Sequence, residues 1–228
     1  MKISILIPCF NEVETIEEIL NKIHNLKSSL VFEIIVIDDC STDGTYLVLK
    51  EKCKNLYTTL LKNEKNYGKG YSVRKGIENC TGDFILIQDA DLEYDPKDYQ
   101  KVLNPLLKGK ADVVYGSRFT GSDERKIHFF WHTLANKLLT FCCNIKTNLN
   151  LSDMECGFKA FKTKIIKDVN IKLKEDRFGF EPEVTIKLAR KNVSFYEVGI
   201  NYYGRSYIEG KKIGFKDAIR ALYVILFA

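Results

Sequence analysis

Hydrophobic positions along the chain follow two alternating patterns. Short runs that are apolar at nearly every position occur at Ile3–Ile7 (broken only by Ser4), Ile34–Ile37, Phe84–Ile87 and Val113–Tyr115. Such runs read as buried strands. After the first, Ile16, Ile19, Leu20, Ile23 and Leu26 recur at the spacing of one helical face. Asn11 with Glu14 three residues on predicts a capping box with Asn as the cap. Ser41-Thr42-Asp43-Gly44 predicts a turn into a helix, and Asp95-Pro96 a helix start with Asp as cap and Pro at the first helical position. Phe129–Leu139, Glu181–Arg190 and Phe215–Phe227 read as further helices, and residues 204–212 as a polar loop. Strands apolar throughout and separated by helices imply an α/β fold, a mostly parallel sheet covered on both faces. In such sheets ligands sit beyond the carboxyl ends of the strands.

Composition narrows the class. The 228 residues are 45% apolar and 29% charged, a globular chain long enough for a real core. The net charge of +5 is uneven: from Cys156 onward there are 15 basic and 8 acidic residues. That excess implies a phosphate-rich partner, an anionic membrane surface or a solvated basic face. Seven cysteines without a C-x-x-C pair point to small apolar residues in a reducing compartment and argue against zinc. No secretory signal precedes Ile3, and the longest apolar run, Ala221–Ala228, is far short of the roughly 18 residues of a membrane span. A cytoplasmic protein is expected, with any membrane contact peripheral and on the cytoplasmic face. Nucleic acid is not an expected partner, and the sequence leaves the oligomeric state open.

Polar residues follow each predicted strand: Pro8-Cys9-Phe10-Asn11-Glu12, Asp38-Asp39, Gln88-Asp89-Ala90-Asp91 and Gly116-Ser117-Arg118. A lone D-x-D is a weak signal. In an extended chain, however, residues i and i+2 point the same way, so Asp89 and Asp91 would share one side and could hold a divalent cation. Such a cation would neutralise charge on a departing diphosphate. Arg118 at the neighbouring strand end would offset the remaining charge. Arg205, Lys211 and Lys212 form a second basic group in a loop bracketed by Gly204, Gly210 and Gly214. That spacing suits closure over phosphates, with a solvated loop as the alternative.

The stretches ILIPCFNE, IIVIDDCSTDGT, FILIQDADLEYDP, VVYGSRF, LSDMECGFKAF, FGFEPEV and GRSYIEGKKIG stand in order from residue 5 to 214. Together they resemble family 2 glycosyltransferases of the GT-A (Rossmann-like) fold, in the polyprenyl-phosphate (dolichyl-phosphate) mannose synthase-like branch. The resemblance implies a catalytic domain over 1–212 followed by an amphipathic helix over 213–228. It implies nucleotide-sugar contacts from Pro8, Phe10, Glu12, Ile37, Asp39, Asp89, Ala90, Asp91, Arg118, Arg205 and Lys211. The metal, Mg2+ or Mn2+, would rest on Asp91 and Asp89 with Gln88 beside them. The implied reaction transfers a hexose, with inversion, from GDP-mannose or UDP-glucose to an acceptor, with polyprenyl phosphate expected. A saccharide hydroxyl is the alternative acceptor, and a non-catalytic nucleotide-sugar-binding module at a membrane the alternative role. The intact acidic triplet counts against the second of these.

Two other enzyme classes fit poorly. Nucleotidyl transfer would want a Gly-rich basic loop after the first strand, and a dinucleotide oxidoreductase G-x-G-x-x-G there. That position reads Pro8-Cys9-Phe10-Asn11-Glu12. Related synthases carry an additional Arg in the segment matching 129–136, where this chain has His132 as a possible stand-in. A phosphate acceptor is already anionic, so positioning and charge neutralisation would dominate catalysis by Asp91 and Arg118. A hydroxyl acceptor would need a base, and Asp153 and Glu155 are the candidates. Phe215, Ile219, Leu222, Tyr223 and Leu226, with Lys216 and Arg220 between them, make a basic amphipathic helix. It suits a membrane interface or packing against the catalytic body.

Overall fold

In a computed structural model the described residues are 1–121, 129–205 and 214–228. Lys211 and Lys212 lie outside them. Seven strands among the described residues form one sheet: β1 (Lys2–Cys9), β2 (Val31–Asp38), β3 (Thr59–Lys62), β4 (Phe84–Ile87), β5 (Val113–Ser117), β6 (Lys159–Lys162) and β7 (Phe195–Gly199). Their order is β3-β2-β1-β4-β6-β5-β7. β1 pairs in parallel with β2 and β4, placing Ile5 opposite Ile34 on one side and Leu86 on the other. β6 runs antiparallel between β4 and β5. The expected α/β architecture of GT-A type is therefore present, with one reversed strand.

Among the described residues eight α-helices cover the sheet: α1 (Ile16–His24), α2 (Thr45–Glu51), α3 (Lys69–Asn79), α4 (Tyr99–Leu107), α5 (Phe130–Thr147), α6 (Thr163–Asn170), α7 (Phe180–Ala189) and α8 (Phe215–Phe227). Two cores result. Ile3, Ile5 and Ile7 of β1 pack with Ile16, Ile19 and Leu103 on one face. Leu6, Ile35 and Ile37 pack with Val73, Val184 and Ile225 on the other. Burial of strands on both faces is why they read as unbroken apolar runs. The seven cysteines are free thiols, five of them buried.

Two predicted helix starts form as expected. Asp43 Oδ1 accepts from the Thr45 amide (2.9 Å) and hydroxyl (2.5 Å) at the head of α2. Asp95 Oδ1 accepts from the Lys97 amide at 2.9 Å, opening a short 3-10 turn at Pro96–Asp98 that leads into α4. The Asn11 capping box does not form. α1 begins five residues later, capped at Thr15 without a side-chain bond. Asn11 instead adopts a left-handed φ of 52° and accepts from the Thr42 amide at 2.8 Å, tying the β1 loop to the β2 loop.

Candidate active site

The carboxyl ends of β1, β2, β4, β5 and β7 lie along one edge of the sheet. Because β6 is reversed, its beginning lies on that same edge, which brings the loop 153–157 beside the other loops.

Among the described residues three cations organise the cleft, each held by carboxylates. Lys69, the first residue of α3, bonds Asp89 at 2.8 Å and Glu181 of α7 at 3.2 Å. Arg205 donates to both Glu12 oxygens at 3.1 Å and to Asp91 Oδ2 at 3.1 Å. Arg118 donates from Nε and Nη2 to the two oxygens of Asp153, both at 2.6 Å, and from its backbone amide to Oδ2 at 3.0 Å. The Arg118 guanidinium also lies 5.2 Å from the Tyr202 ring centre. Tyr202 donates to Glu93 Oε2 at 2.6 Å, and Glu93 Oε1 accepts the Arg205 amide at 2.7 Å.

The acidic triplet differs from its extended-chain picture. β4 ends at Ile87, and Asp89–Asp91 lie in the turn beyond it. Asp89 faces Lys69, whereas Asp91 faces Arg205 and receives the Glu93 amide at 3.1 Å. Ala90 between them is buried in the core. Burial, with Asp89 and Glu93 nearby, pushes the Asp91 carboxyl up to about 7, although Arg205 pulls it down. Such a carboxylate calls for positive charge. Among the described residues no group of three or more metal-ligating side chains surrounds a common point. A cation here would take one or two carboxylates and complete its shell from phosphate and water, as Mg2+ and Mn2+ do. The residues present fit that arrangement.

The remaining candidates divide between cleft and scaffold. Gln88 is buried, and its Nε2 donates to the carbonyls of Asp89 (3.0 Å) and Tyr94 (3.2 Å), which supports the triplet turn. Asp39 is also buried. It accepts from Asn63 and Asn66 side chains (2.7 and 3.0 Å) and from the Tyr67 and Gly68 amides (3.0 and 2.7 Å), folding the approach to α3. Gly68 has φ +114°, and a Cβ there would come within 2.6 Å of Arg177 Cγ and the Asp176 carbonyl. Ile37 faces the core below α3, and Pro8 sits opposite it in β1. Phe10 is half-buried just beyond β1, and His132 lies in the first turn of α5 with Phe129 at 5.8 Å between ring centres.

Asp153 is inaccessible to solvent. Burial raises its pKa, but Arg118 outweighs burial and leaves the carboxyl below its ordinary range. Glu155 shifts upward, because of burial and then the nearby Glu181. Glu155 Oε1 and Glu181 Oε2 are buried without a hydrogen-bond partner.

Sequence reasoning missed Lys69, Glu93, Gly157, Glu181 and Tyr202 as site residues. The bracketing Gly68-Lys69-Gly70 at a helix start was the legible signal for the first. Gly157 has a steric reason: a Cβ there would come 2.5 Å from Asp89 Oδ2 and 2.6 Å from Lys69 Nζ.

The chain is similar to known proteins in sequence and in fold. The chain is 27% identical over 219 residues to a dolichol-phosphate mannosyltransferase of Pyrococcus furiosus, covering 93% of this chain and 61% of that protein's length. It is 27% identical over 236 residues to a dolichyl-phosphate beta-glucosyltransferase of Trichomonas vaginalis, covering 96% of this chain and 70% of the relative. Among solved structures, glucosyl-3-phosphoglycerate synthase of Mycobacterium tuberculosis superposes with a TM-score of 0.73 at 19% identity, over 99% of this chain and 78% of that one. That structure holds Mn2+, UDP and glucosyl-3-phosphoglycerate, and another crystal of the same enzyme holds Mg2+ and UDP. The family model described as glycosyl transferase family 2 matches residues 4–169, from β1 into α6. The chain belongs to glycosyl transferase family 2.

Proposed function

We propose that this protein transfers a hexose, with inversion, from a nucleotide diphosphate-sugar to the phosphate of a polyprenyl lipid. The observation that carries the reading is the Arg118–Asp153 pair. A hydroxyl acceptor needs a base, and Asp153, the first candidate for one, is already committed to Arg118 and held below its ordinary pKa. A phosphate acceptor needs none. Its anionic oxygen would form the new bond to the sugar carbon. The bond from that carbon to the diphosphate breaks, and its electron pair leaves with the nucleoside diphosphate. Arg118 would align the phosphates, with Asp153 as its positioning residue. Arg205 and Lys69 would exchange carboxylate partners for the diphosphate, and Lys211 is proposed to join them. Pro8, Phe10, Glu12, Ile37 and Asp39 would shape the nucleoside side.

Asp91 and Asp89 would hold Mg2+ or Mn2+, with Gln88 fixing their turn. When bound, that cation supplies charge neutralisation for the leaving diphosphate. The dolichyl-phosphate relatives support a lipid phosphate acceptor, and GDP-mannose and UDP-glucose are the donors to try first. Glu155 favours a second reading: its upward shift and unpartnered oxygen suit a base acting on a saccharide hydroxyl.

The test offers each donor with Mg2+ or Mn2+ to polyprenyl phosphate and, separately, to saccharides. We expect transfer to the phosphate, loss of at least about 10²-fold in Asp91→Ala, and near-parental rates in Glu155→Gln. Transfer only to saccharides, lost in Glu155→Gln, would establish the second reading. An Asp91→Ala variant as fast as the parent would overturn the site.

A further inference from the structure

Along α5, Trp131, Leu134, Leu138, Phe141 and Ile145 recur at intervals of three and four residues and are all exposed, from 47% to 73%. α8 buries Ala221, Val224 and Ile225 against the body, yet leaves Ile219, Tyr223, Leu226 and Phe227 exposed. The two helices lie side by side, with Lys146 Nζ donating to the Leu226 carbonyl at 3.0 Å. Single apolar side chains on a surface need no explanation, but two adjacent stripes mark an interaction face.

Charge decides what covers it. α5 contains no Asp or Glu, and its lysines are Lys137 and Lys146. α8 has a single acid, Asp217, which accepts the Gly214 amide at 2.8 Å. Its Arg220 is paired with Glu175 at 2.6 Å, and Lys216 adds a further cation. A second copy docked across a twofold axis would set lysines against lysines, with the acids beside them, Asp217 and Glu175, already engaged by the Gly214 amide and by Arg220. An anionic bilayer answers them and accepts the aromatic and aliphatic side chains at its interface. We propose that α5 and α8 together form a docking face for an anionic lipid membrane, with α5 as the principal anchor. No helix among the described residues is long and apolar enough to cross a membrane, so the contact lies in the interfacial plane. Lys137 Nζ lies 5.8 Å from the Phe119 ring, next to Arg118, so the face borders the cleft.

Trp131 is the only tryptophan, which makes the anchor its own reporter. The experiment adds phosphatidylcholine vesicles, with or without phosphatidylglycerol, to the protein without donor or acceptor. A failed transferase reading therefore leaves this result intact. Trp131 emission should shift to the blue and the protein should float with the phosphatidylglycerol vesicles. Binding should be at least about tenfold weaker to neutral vesicles or in 1 M salt. The Leu138→Glu, Ile145→Glu double variant should lose at least about tenfold in vesicle affinity at unchanged melting temperature. Emission indifferent to lipid overturns the proposal. So does a dimer in light scattering with Trp131 already shielded, made monomeric by the same double variant.

Discussion

Asp153→Asn distinguishes a supporting carboxylate from a proton acceptor. Asp153 is fully buried and the Arg118 side chain is 14% exposed. Asn preserves the size and one carbonyl acceptor. The other guanidinium N–H then meets an amide N–H, and the buried cation loses its counter-charge. Breaking a buried pair from one side costs about 3–5 kcal/mol. The stack of Arg118 on Tyr202 is present in parent and variant alike and cancels from the difference, so the loss stays at about 3–5 kcal/mol. In a chain of 228 residues each kcal/mol moves the melting temperature by about 2–4 °C, so a fall of roughly 6–20 °C is expected. Transfer should fall about 10²-fold because Arg118 is no longer aligned. Scanning calorimetry and steady-state kinetics on Asp153→Asn, Arg118→Met and the double variant make the measurement. The double variant should be no less stable than Arg118→Met alone, since both changes break one unit. A melting temperature within about 2 °C of the parent, with transfer lost, would refute the reasoning and make Asp153 the base.

Asp91→Asn should abolish transfer while stabilising the ligand-free protein. The folded chain holds the Asp91 proton up to about 7, whereas the unfolded carboxyl releases it near about 3.9. Ligand-free stability therefore falls as pH rises between those values, by at most about 4 kcal/mol. Melting curves at pH 5 and pH 8 should show a smaller loss in the variant than in the parent, and an equal loss would contradict the burial argument. Gly157→Ala places a methyl group against Asp89 and Lys69. Kinetics should register a loss of at least about 10²-fold at a stability cost of about 1–3 kcal/mol, and turnover within twofold of the parent would show that this pair need not stay in place.

What the sequence made legible follows from burial. β1, β2, β4 and β5 are buried on both faces, so each announces itself as an apolar run. β3 is a four-residue edge strand, half-buried and ending in an exposed Lys62. β6 reads KAFK, and its buried Lys159 donates to the Met154 carbonyl at 2.8 Å, a use of lysine that no hydropathy pattern reveals. The motif positions located the cleft, because carboxyl ends of parallel strands share one edge. The pairings within it were not legible. Arg118 finds Asp153 across 35 residues, and Arg205 finds Glu12 across 193. Neither separation leaves a local trace. The Asn11 cap failed for a related reason: a side chain suited to capping found a better partner in another loop.

The reversed strand β6 also bears on the order in which the molecule can fold. β3, β2, β1 and β4 come from the first 87 residues and pair without help from later chain. β5 cannot join them directly, because its place beside β4 belongs to a strand that begins at residue 159. Closing that gap spans more than seventy residues from β4, and such distant pairings are slow to form. The half of the sheet built from β1 to β4 can therefore be native while the sheet is still in two pieces. Lys69 and Asp89 would then wait for Gly157 and Glu181, so the cleft cannot be complete before β6 and α7 have docked.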